Sequence, residues 1–155
     1  MSGRVQGKRF LVTGGARGMG ACHARHLAEE GAAVVIGDIL EQEGAGLAGK
    51  LQAAGLNVRY IHLDVTDEAS WRAAIDRALD WLGGIDGLVN NAGITGTPGG
   101  PEAEGPDAWS ATVAVNQTGA YLGIRTIVPH LKAAGGGSVV NLSSARPPAS
   151  TSQER

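Results

Sequence analysis

The sequence predicts an α/β protein built on a doubly wound, Rossmann-type parallel sheet. Short runs rich in Val, Ile and Leu, as expected of strands buried on both faces, alternate with segments that repeat apolar residues at helical spacing. A strand followed by a helix, repeated along the chain, implies parallel strands joined by right-handed crossovers. A glycine-rich segment between the first strand and the first helix indicates a ligand site at one edge of this sheet.

Five short segments rich in Val, Ile and Leu are predicted to be strands: Arg9–Thr13, Ala33–Asp38, Val58–His62, Gly87–Asn90 and 138–143. Helical spacing predicts helices over 19–30, 42–54 and 107–131, and a further helix whose clearest apolar positions are Trp71 and Ile75. Thr66 is the expected N-cap of that further helix. Residues 94–106, rich in Gly and Pro, predict an irregular loop after the fourth strand.

Composition favours a folded domain that binds a small molecule. The chain has 155 residues, of which 43% are hydrophobic, enough apolar surface for one packed domain. Its 13 basic and 15 acidic residues give a net charge of -2, so no basic field indicates nucleic acid or an anionic membrane. A single cysteine, Cys22, excludes an internal disulfide framework. The polar N-terminus has no signal-peptide core or membrane span, and we expect a cytoplasmic protein.

The glycine motif follows the first strand directly and opens the first helix. Gly14 permits a tight turn, Gly18 lets the backbone approach a pyrophosphate, and Gly20 lets the helix pack closely on the sheet. The N–H groups and the positive end of the helix dipole then face the bound anion. No Gly-Lys-Ser/Thr closes the motif, which excludes a kinase-type P-loop. The strand before the motif and the helix after it indicate a dinucleotide site.

Asp38, at the end of the second strand, indicates which dinucleotide binds. A carboxylate at this distance from the glycines accepts hydrogen bonds from the adenosine ribose hydroxyls, and it would repel the 2′-phosphate of NADP. This favours NAD. Arg17 is a counter-signal, because a guanidinium within the glycine loop can pair with that phosphate. The alternative for Asp38 is a purely structural N-cap on the backbone of Glu41 and Gln42.

These residues resemble the short-chain dehydrogenase and reductase (SDR) family. Thr13–Gly20 is similar to the family's Thr-Gly-x-x-x-Gly-x-Gly motif, and residues 90–93 are similar to its Asn-Asn-Ala-Gly motif, in the family's order. The resemblance covers residues 7 to about 145 and implies hydride transfer between a nicotinamide cofactor and a secondary alcohol or ketone. Residues 1–40 look most like bacterial 3α/20β-hydroxysteroid dehydrogenases. The resemblance implies these site residues: for cofactor binding Gly14, Arg17, Gly18, Met19, Gly20, Asp38, Asp64, Val65, Asn90, Ala92 and Gly93, and for catalysis Asn116 and Ser144.

The family's catalytic Tyr-x-x-x-Lys motif, expected shortly after Ser144, is not among the 155 residues. Asp64 stands at the lysine position after Tyr60, and Arg125 stands there after Tyr121. We therefore expect residues 1–144 to form a partial SDR domain, truncated before its Tyr and Lys. We expect residues 145–155, polar and without periodicity, to be a disordered tail that does not follow the family's pattern.

Truncation has consequences for activity and assembly. We expect the 155-residue polypeptide alone to bind dinucleotide weakly and to have no normal turnover. The resemblance implies a family that is usually homo-oligomeric, and an incomplete sheet leaves the fifth strand on an open edge that invites self-association. An alternative function is a non-catalytic module that binds dinucleotide or pairs with a related chain. Reduction of acyl-carrier-linked ketones with NADPH is a third option, which Asp38 disfavours.

Overall fold

The computed structural model describes residues 3–97 and 101–143. Ser144, predicted to be catalytic, and residues 145–155, predicted to be a disordered tail, lie outside the described residues. The strands are β1 (Arg9–Thr13), β2 (Ala33–Asp38), β3 (Val58–His62), β4 (Gly87–Asn90) and β5 (Ser138–Asn141). The α-helices are α1 (Gly18–Glu29), α2 (Glu41–Ala53), α3 (Glu68–Leu82), α4 (Pro106–Val113) and α5 (Gly119–Ala133), with a 3-10 turn at Pro101–Ala103.

The five strands form one parallel sheet in the order β3-β2-β1-β4-β5. β1 lies at its centre, and Phe10 is in register with Val34 of β2 on one side and with Gly87 of β4 on the other. The chain therefore builds the sheet outward from β1 in both directions, which opens a crevice beyond the carboxyl ends of β1 and β4. The predicted doubly wound fold is confirmed.

Hydrophobic residues are buried on both faces of the sheet. Leu11 and Val12, consecutive in β1, are both fully buried, although successive side chains of a strand point to opposite faces. Leu11 joins a cluster with Trp71 of α3 and Ile127 of α5. Val12 joins a second cluster with Ala24 of α1. Helices thus cover both faces, which explains why the strands read as continuous apolar runs.

The predicted N-cap of α3 is wrong by one residue. Asp67, and not Thr66, caps the helix, because its carboxylate accepts hydrogen bonds from the backbone N–H groups of Ala69 (3.0 Å) and Ser70 (3.1 Å). The backbone N–H and the hydroxyl of Thr66 instead donate to the carboxylate of Asp64, at 2.9 and 2.7 Å. A carboxylate also suits the positive end of the helix better than a hydroxyl does.

The helix predicted over 107–131 is divided. A π-helical segment at Ala114–Thr118 separates α4 from α5. Asn116, within this segment, donates from Nδ2 to the carbonyl of Ile94 at 2.8 Å and accepts from the Ile94 N–H at 2.9 Å. The wider turn therefore coincides with a tertiary attachment to the chain that follows β4, a typical setting for a π-bulge.

β5 is paired with β4 along one side, and within residues 3–97 and 101–143 no strand pairs with its other side. The side chain of Val140 in β5 is 51% exposed. In the same part of the chain, no helix combines the length and the apolar character needed to cross a bilayer.

An ion pair joins the amino ends of β1 and β4. The backbone N–H and Nε of Arg9 both donate to Asp86 Oδ2, at 2.9 and 2.7 Å, and Nη2 donates to Oδ1 at 3.1 Å. These hydrogen bonds hold the pKa of the Asp86 carboxyl below its usual range, although partial burial opposes this. The pair thus fixes the register of the two central strands at the edge opposite the crevice.

Replacing Asp86 by Asn is predicted to lower the unfolding free energy by about 1–2 kcal/mol at pH 7, since the charged hydrogen bonds are lost. Because the native pKa is lowered, the carboxylate stabilises the fold above its ordinary pKa, and this contribution disappears as the pH falls through the lowered value. Urea unfolding at several pH values measures both effects, with Asp76→Asn, on the exposed side of α3, as the control. An equal effect of the Asp86 substitution at pH 7 and well below pH 4 would contradict this role.

Candidate functional site

A cleft of about 330 Å³ lies beyond the carboxyl ends of β1, β2 and β4. It occupies the point where the strand order reverses, the usual ligand position in open α/β sheets. The structure brings most of the predicted cofactor residues to its wall: Gly14, Arg17, Gly18, Met19, Gly20, Asp38, Asp64, Val65, Ala92 and Gly93. Sequence reasoning did not assign four apolar residues that also line it: Ile39, Leu63, Ile94 and Val115.

The glycine loop, Gly14–Gly20, presents an uncapped helix N-terminus to this cleft. Among the described residues, no side chain caps α1, and no acidic residue lies in its first turn. Gly14 and Gly18 have φ of +61° and +57°, a conformation that L side chains rarely adopt. Apart from its chain neighbours and the backbone of its own helix, no described atom lies within 4 Å of the position that a Cβ on Gly18 would take. The backbone at Gly18 therefore faces open space with the positive end of the dipole, as an anion requires.

Gly20 has a different role in the same loop. A Cβ at this position would overlap the carbonyl oxygen of Gly14 and the side-chain amide of Asn91. The first turn of α1 therefore packs directly against the loop that precedes it. This close approach sets where the helix N-terminus points.

Thr13 and Asn91 attach the glycine loop to the end of β4. The buried Thr13 hydroxyl accepts from the backbone N–H groups of Asn91 and Ala92, both at 3.0 Å. Asn91 Nδ2 donates in return to the carbonyls of Thr13 (2.9 Å) and Gly14 (3.1 Å). Neither Thr13 nor Asn91 is among the predicted cofactor residues, although Thr13 belongs to the glycine motif and Asn91 to the Asn-Asn-Ala-Gly motif. Their reciprocal bonds fix the crevice between β1 and β4.

Asp38 is 8% exposed and binds the backbone with both carboxylate oxygens. Oδ2 accepts from the N–H of Ala16 in the glycine loop, and Oδ1 accepts from the N–H of Leu40, each at 3.0 Å. Leu40 is the N-cap residue of α2 and has no side-chain cap hydrogen bond, so the alternative of an N-cap on Glu41 and Gln42 is wrong. Asp38 thus holds the glycine loop while lining the cleft. Arg17, in the same wall, is exposed.

Two predicted residues after β3 also form the wall. Asp64 binds Thr66 through its carboxylate and donates its backbone N–H to the Ser70 hydroxyl at 3.0 Å. The carbonyl of Val65 accepts from the indole N–H of Trp71 at 3.0 Å. These bonds fix the chain between β3 and α3, so that Asp64 and Val65 keep their position in the cleft.

Asn90 is not brought to the cleft wall. Its side chain is buried, and Nδ2 donates to Asn141 Oδ1 at 2.8 Å and to the Ala120 carbonyl at 3.3 Å. This connects β4 to β5 and to α5. Asn116 is exposed, and a Cβ on Gly93 would lie 3.4 Å from its Oδ1, so the predicted catalytic asparagine stands beside the Gly93 end of the cleft. Ser144 lies outside the described residues.

A larger cavity, about 400 Å³, lies between α1 and β5. Most of its lining area is apolar, from side chains such as Val5, Leu27, Val140 and Leu142. It lacks the glycine loop, the exposed helix N-terminus and Asp38, so the smaller cleft is the candidate site. Within the described part of the chain, no three His, Cys, Asp or Glu side chains lie close enough to hold a metal ion.

Comparison with known proteins identifies the family. The short chain dehydrogenase family model matches residues 8–150. The chain is 49% identical over 144 residues to 2,5-dichloro-2,5-cyclohexadiene-1,4-diol dehydrogenase of Sphingobium indicum, covering 93% of this chain and 57% of that one. It is 51% identical over 144 residues to 3-alpha-(or 20-beta)-hydroxysteroid dehydrogenase of Mycobacterium tuberculosis, covering 93% and 54%. The chain belongs to the short-chain dehydrogenase family, and it spans about half the length of these curated relatives.

A solved structure agrees with this family and fold. Gluconate 5-dehydrogenase from Burkholderia cenocepacia, in complex with NADP and tartrate, superposes with a TM-score of 0.85 at 40% identity, covering 93% of this chain and 58% of that chain. The predicted family resemblance and fold class are thereby confirmed. Membership of this family implies a nicotinamide cofactor.

Replacing Gly20 by Ala is predicted to lower dinucleotide affinity at least tenfold and unfolding free energy by about 1–3 kcal/mol, because the methyl group overlaps the Gly14 carbonyl and forces α1 away from the loop. Gly46→Ala is the matched control, since Gly46 lies exposed in α2 with no atom near its Cβ position. That control is expected to retain affinity and to gain up to about 1 kcal/mol of stability from helix propensity. Calorimetric titration and urea unfolding measure the two quantities. Unchanged affinity in the Gly20 variant would contradict the packing role.

Proposed function

We propose that this chain forms the dinucleotide-binding part of an NAD-dependent oxidoreductase acting on a secondary alcohol or ketone. The observation that carries the proposal is the cleft itself, in which an uncapped helix N-terminus and the Asp38 carboxylate line the same wall. The first suits a pyrophosphate, and the second suits ribose hydroxyls. Their separate locations, on the loops after β1 and β2, match the pyrophosphate and the neighbouring adenosine ribose of an extended dinucleotide.

The donor set fits a nicotinamide dinucleotide. The backbone of Gly14–Gly20 would hold the pyrophosphate, Asp38 the adenosine ribose, and Asp64 and Val65 the adenine. Ala92 packs against Gly14 in the cleft wall, and Gly93, which follows it, lies next to Asn116. When bound, the nicotinamide ring supplies hydride chemistry. The residues of the cleft would orient the ring and exclude water from it. The apolar residues Ile94 and Val115 are suited to excluding water.

Asp38 favours NAD over NADP. Its carboxylate is almost fully buried and fixed by two backbone N–H groups, so it cannot swing away from a 2′-phosphate without losing both bonds. Two like charges in contact are unfavourable. NADP is the second candidate, and two observations favour it. Arg17 is exposed in the same wall, and the gluconate 5-dehydrogenase structure contains NADP.

The relatives support the substrate class. One is named for a cyclohexadiene diol and another for hydroxysteroids, and both names denote alcohols on carbocyclic skeletons. We therefore propose a cyclic or polycyclic secondary alcohol, including hydroxysteroids, or the corresponding ketone. The proposed role of Asn116, which lies beside Gly93, is to hold a water in a proton relay. The proposed role of Ser144 is hydrogen bonding to the substrate oxygen.

The 155-residue polypeptide is proposed to bind dinucleotide without turnover by itself. Neither tyrosine within it is followed by a lysine at the family's spacing, and the Tyr60 hydroxyl is bound to the Asp38 carbonyl at 2.8 Å. Loss of a positioned acid/base lowers a rate by roughly 10² to 10⁴. A non-catalytic module that pairs with another chain is the alternative, favoured by the exposed edge of β5. Size-exclusion chromatography of the chain mixed with a full-length relative tests that pairing.

Titration is predicted to show NAD binding at least tenfold tighter than NADP. Asp38→Asn removes the charge while keeping the shape, and is predicted to reduce the NAD-to-NADP affinity ratio about tenfold, equivalent to about 1.4 kcal/mol. Calorimetry gives both dissociation constants, and circular dichroism checks folding, because the amide replaces an acceptor of the Ala16 or Leu40 N–H. Asp76→Asn is the charge-matched control. Tighter binding of NADP by the unsubstituted chain would favour the second candidate.

A further inference from the structure

Tyr60 makes a side-chain hydrogen bond to the residue on which cofactor choice depends. It lies in β3, in register with Ile36 of β2, and its hydroxyl donates across the sheet to the main-chain carbonyl of Asp38 at 2.8 Å. Tyr60 is not part of the cleft wall and belongs to none of the family motifs recognised in the sequence. Its action on the site therefore has to pass through Asp38.

The ring of Tyr60 packs against the backbone of α2 at Gly44, which has no side chain. A Cβ on Gly44 would overlap the Cδ2 and Cε2 atoms of the ring, so the helix approaches the ring closely only because residue 44 is glycine. The same helix turn connects to Asp38, because Gly44 donates its N–H to the Leu40 carbonyl and Leu40 donates its N–H to Asp38 Oδ1. Gly44, Tyr60 and Asp38 are therefore mechanically connected.

Asp38 is the last residue of β2, where the sheet ladder ends. Its carbonyl accepts from two donors, the Leu63 N–H at 3.1 Å and the Tyr60 hydroxyl. With both donors present, the peptide after Asp38 has a fixed orientation. This also fixes the direction of the Cα–Cβ bond of Asp38, and therefore the direction in which its carboxylate points. Without the hydroxyl, the Leu63 N–H would be the one remaining donor to this carbonyl among the described residues.

The Tyr60 hydroxyl is a neutral donor over the physiological pH range. Burial raises the pKa of Tyr60, and the nearby charges of Glu41, Asp38 and Glu43 raise it further. The phenol therefore stays protonated below its ordinary pKa of about 10, where its bond to Asp38 is retained.

We propose that Tyr60 is a positioning residue for cofactor specificity, acting through the Asp38 carbonyl to aim the Asp38 carboxylate at the 2′ position of the adenosine ribose. This inference rests on the proposed function, in which Asp38 discriminates NAD from NADP. In that function the glycine loop holds the pyrophosphate, which NAD and NADP share, so Tyr60 is expected to affect the preference between the two cofactors more than the binding of either one.

The test is Tyr60→Phe, which keeps the ring against Gly44 and removes only the hydroxyl. The NAD-to-NADP affinity ratio, measured by calorimetry, is expected to fall about three- to tenfold, the range of one hydrogen bond. Tyr121→Phe, exposed on α5, is the matched control and is expected to leave the ratio unchanged. In the Asp38→Asn background, Tyr60→Phe is expected to have no further effect on the ratio, because the group it aims is gone.

A second pair of variants tests the same connection without altering Tyr60. Gly44→Ala, which displaces the ring, is expected to lower the ratio, while Gly46→Ala in the same helix leaves it unchanged. Equal weakening of NAD and NADP in Tyr60→Phe, or an undiminished effect in the Asp38→Asn background, would overturn the positioning role. If the unsubstituted chain binds neither dinucleotide, or shows no preference between them, the proposed function fails as well. If the preference for NAD over NADP is unchanged in both Tyr60→Phe and Gly44→Ala, the positioning role is wrong and the proposed function still stands.

Discussion

The site depends on the hydrogen bonds between Thr13 and the Asn91–Ala92 segment. The Thr13 hydroxyl accepts from both backbone N–H groups of that segment, and the Asn91 side chain donates in return to the Thr13 carbonyl. These hydrogen bonds connect the carboxyl ends of β1 and β4, where the strand order reverses and a crevice must open. Four of the seven residues of the glycine loop are glycines, which have no side chain with which to hold its shape. Its shape is therefore imposed from outside, by Asn91 from β4 and by Asp38 from β2. The uncapped N-terminus of α1 points into the cleft as a consequence of these contacts.

Asp38 combines a structural role with the proposed role in binding. Its carboxylate orders the glycine loop through Ala16 and the start of α2 through Leu40, and the same group is the proposed ribose acceptor. A buried carboxylate bound to two backbone N–H groups is held in one orientation, which is what discrimination at a single hydroxyl requires. In the proposed function, folding of the loop and choice of cofactor are thus linked through one side chain. Tyr60 extends the same connection into β3.

Sequence patterns predicted the fold well because strands buried on both faces leave uninterrupted apolar runs. Four strands have the predicted bounds, and β5 ends at Asn141 instead of residue 143. The errors arise where tertiary contacts decide local structure. Two adjacent residues, Thr66 and Asp67, are both suitable caps, but Thr66 binds Asp64, and the extended backbone at Asp67 places its carboxylate on the first N–H groups of the helix. The π-helical segment depends on the attachment of Asn116 to Ile94, which no periodicity reveals.

Most of the cleft was predictable because its residues stand in ordered motifs after successive strands. Asn90 and Asn91 show the limit, since adjacent residues at a strand end face different ways, and it is Asn91 that reaches the glycine loop.

Titrating the 155-residue polypeptide with NADH, before and after adding cyclic ketones, tests the central claim most directly. Saturable binding of one NADH per chain, with no consumption of NADH after the ketone is added, is the predicted result. Absence of saturable binding by a folded chain would contradict the assignment of this cleft to a dinucleotide.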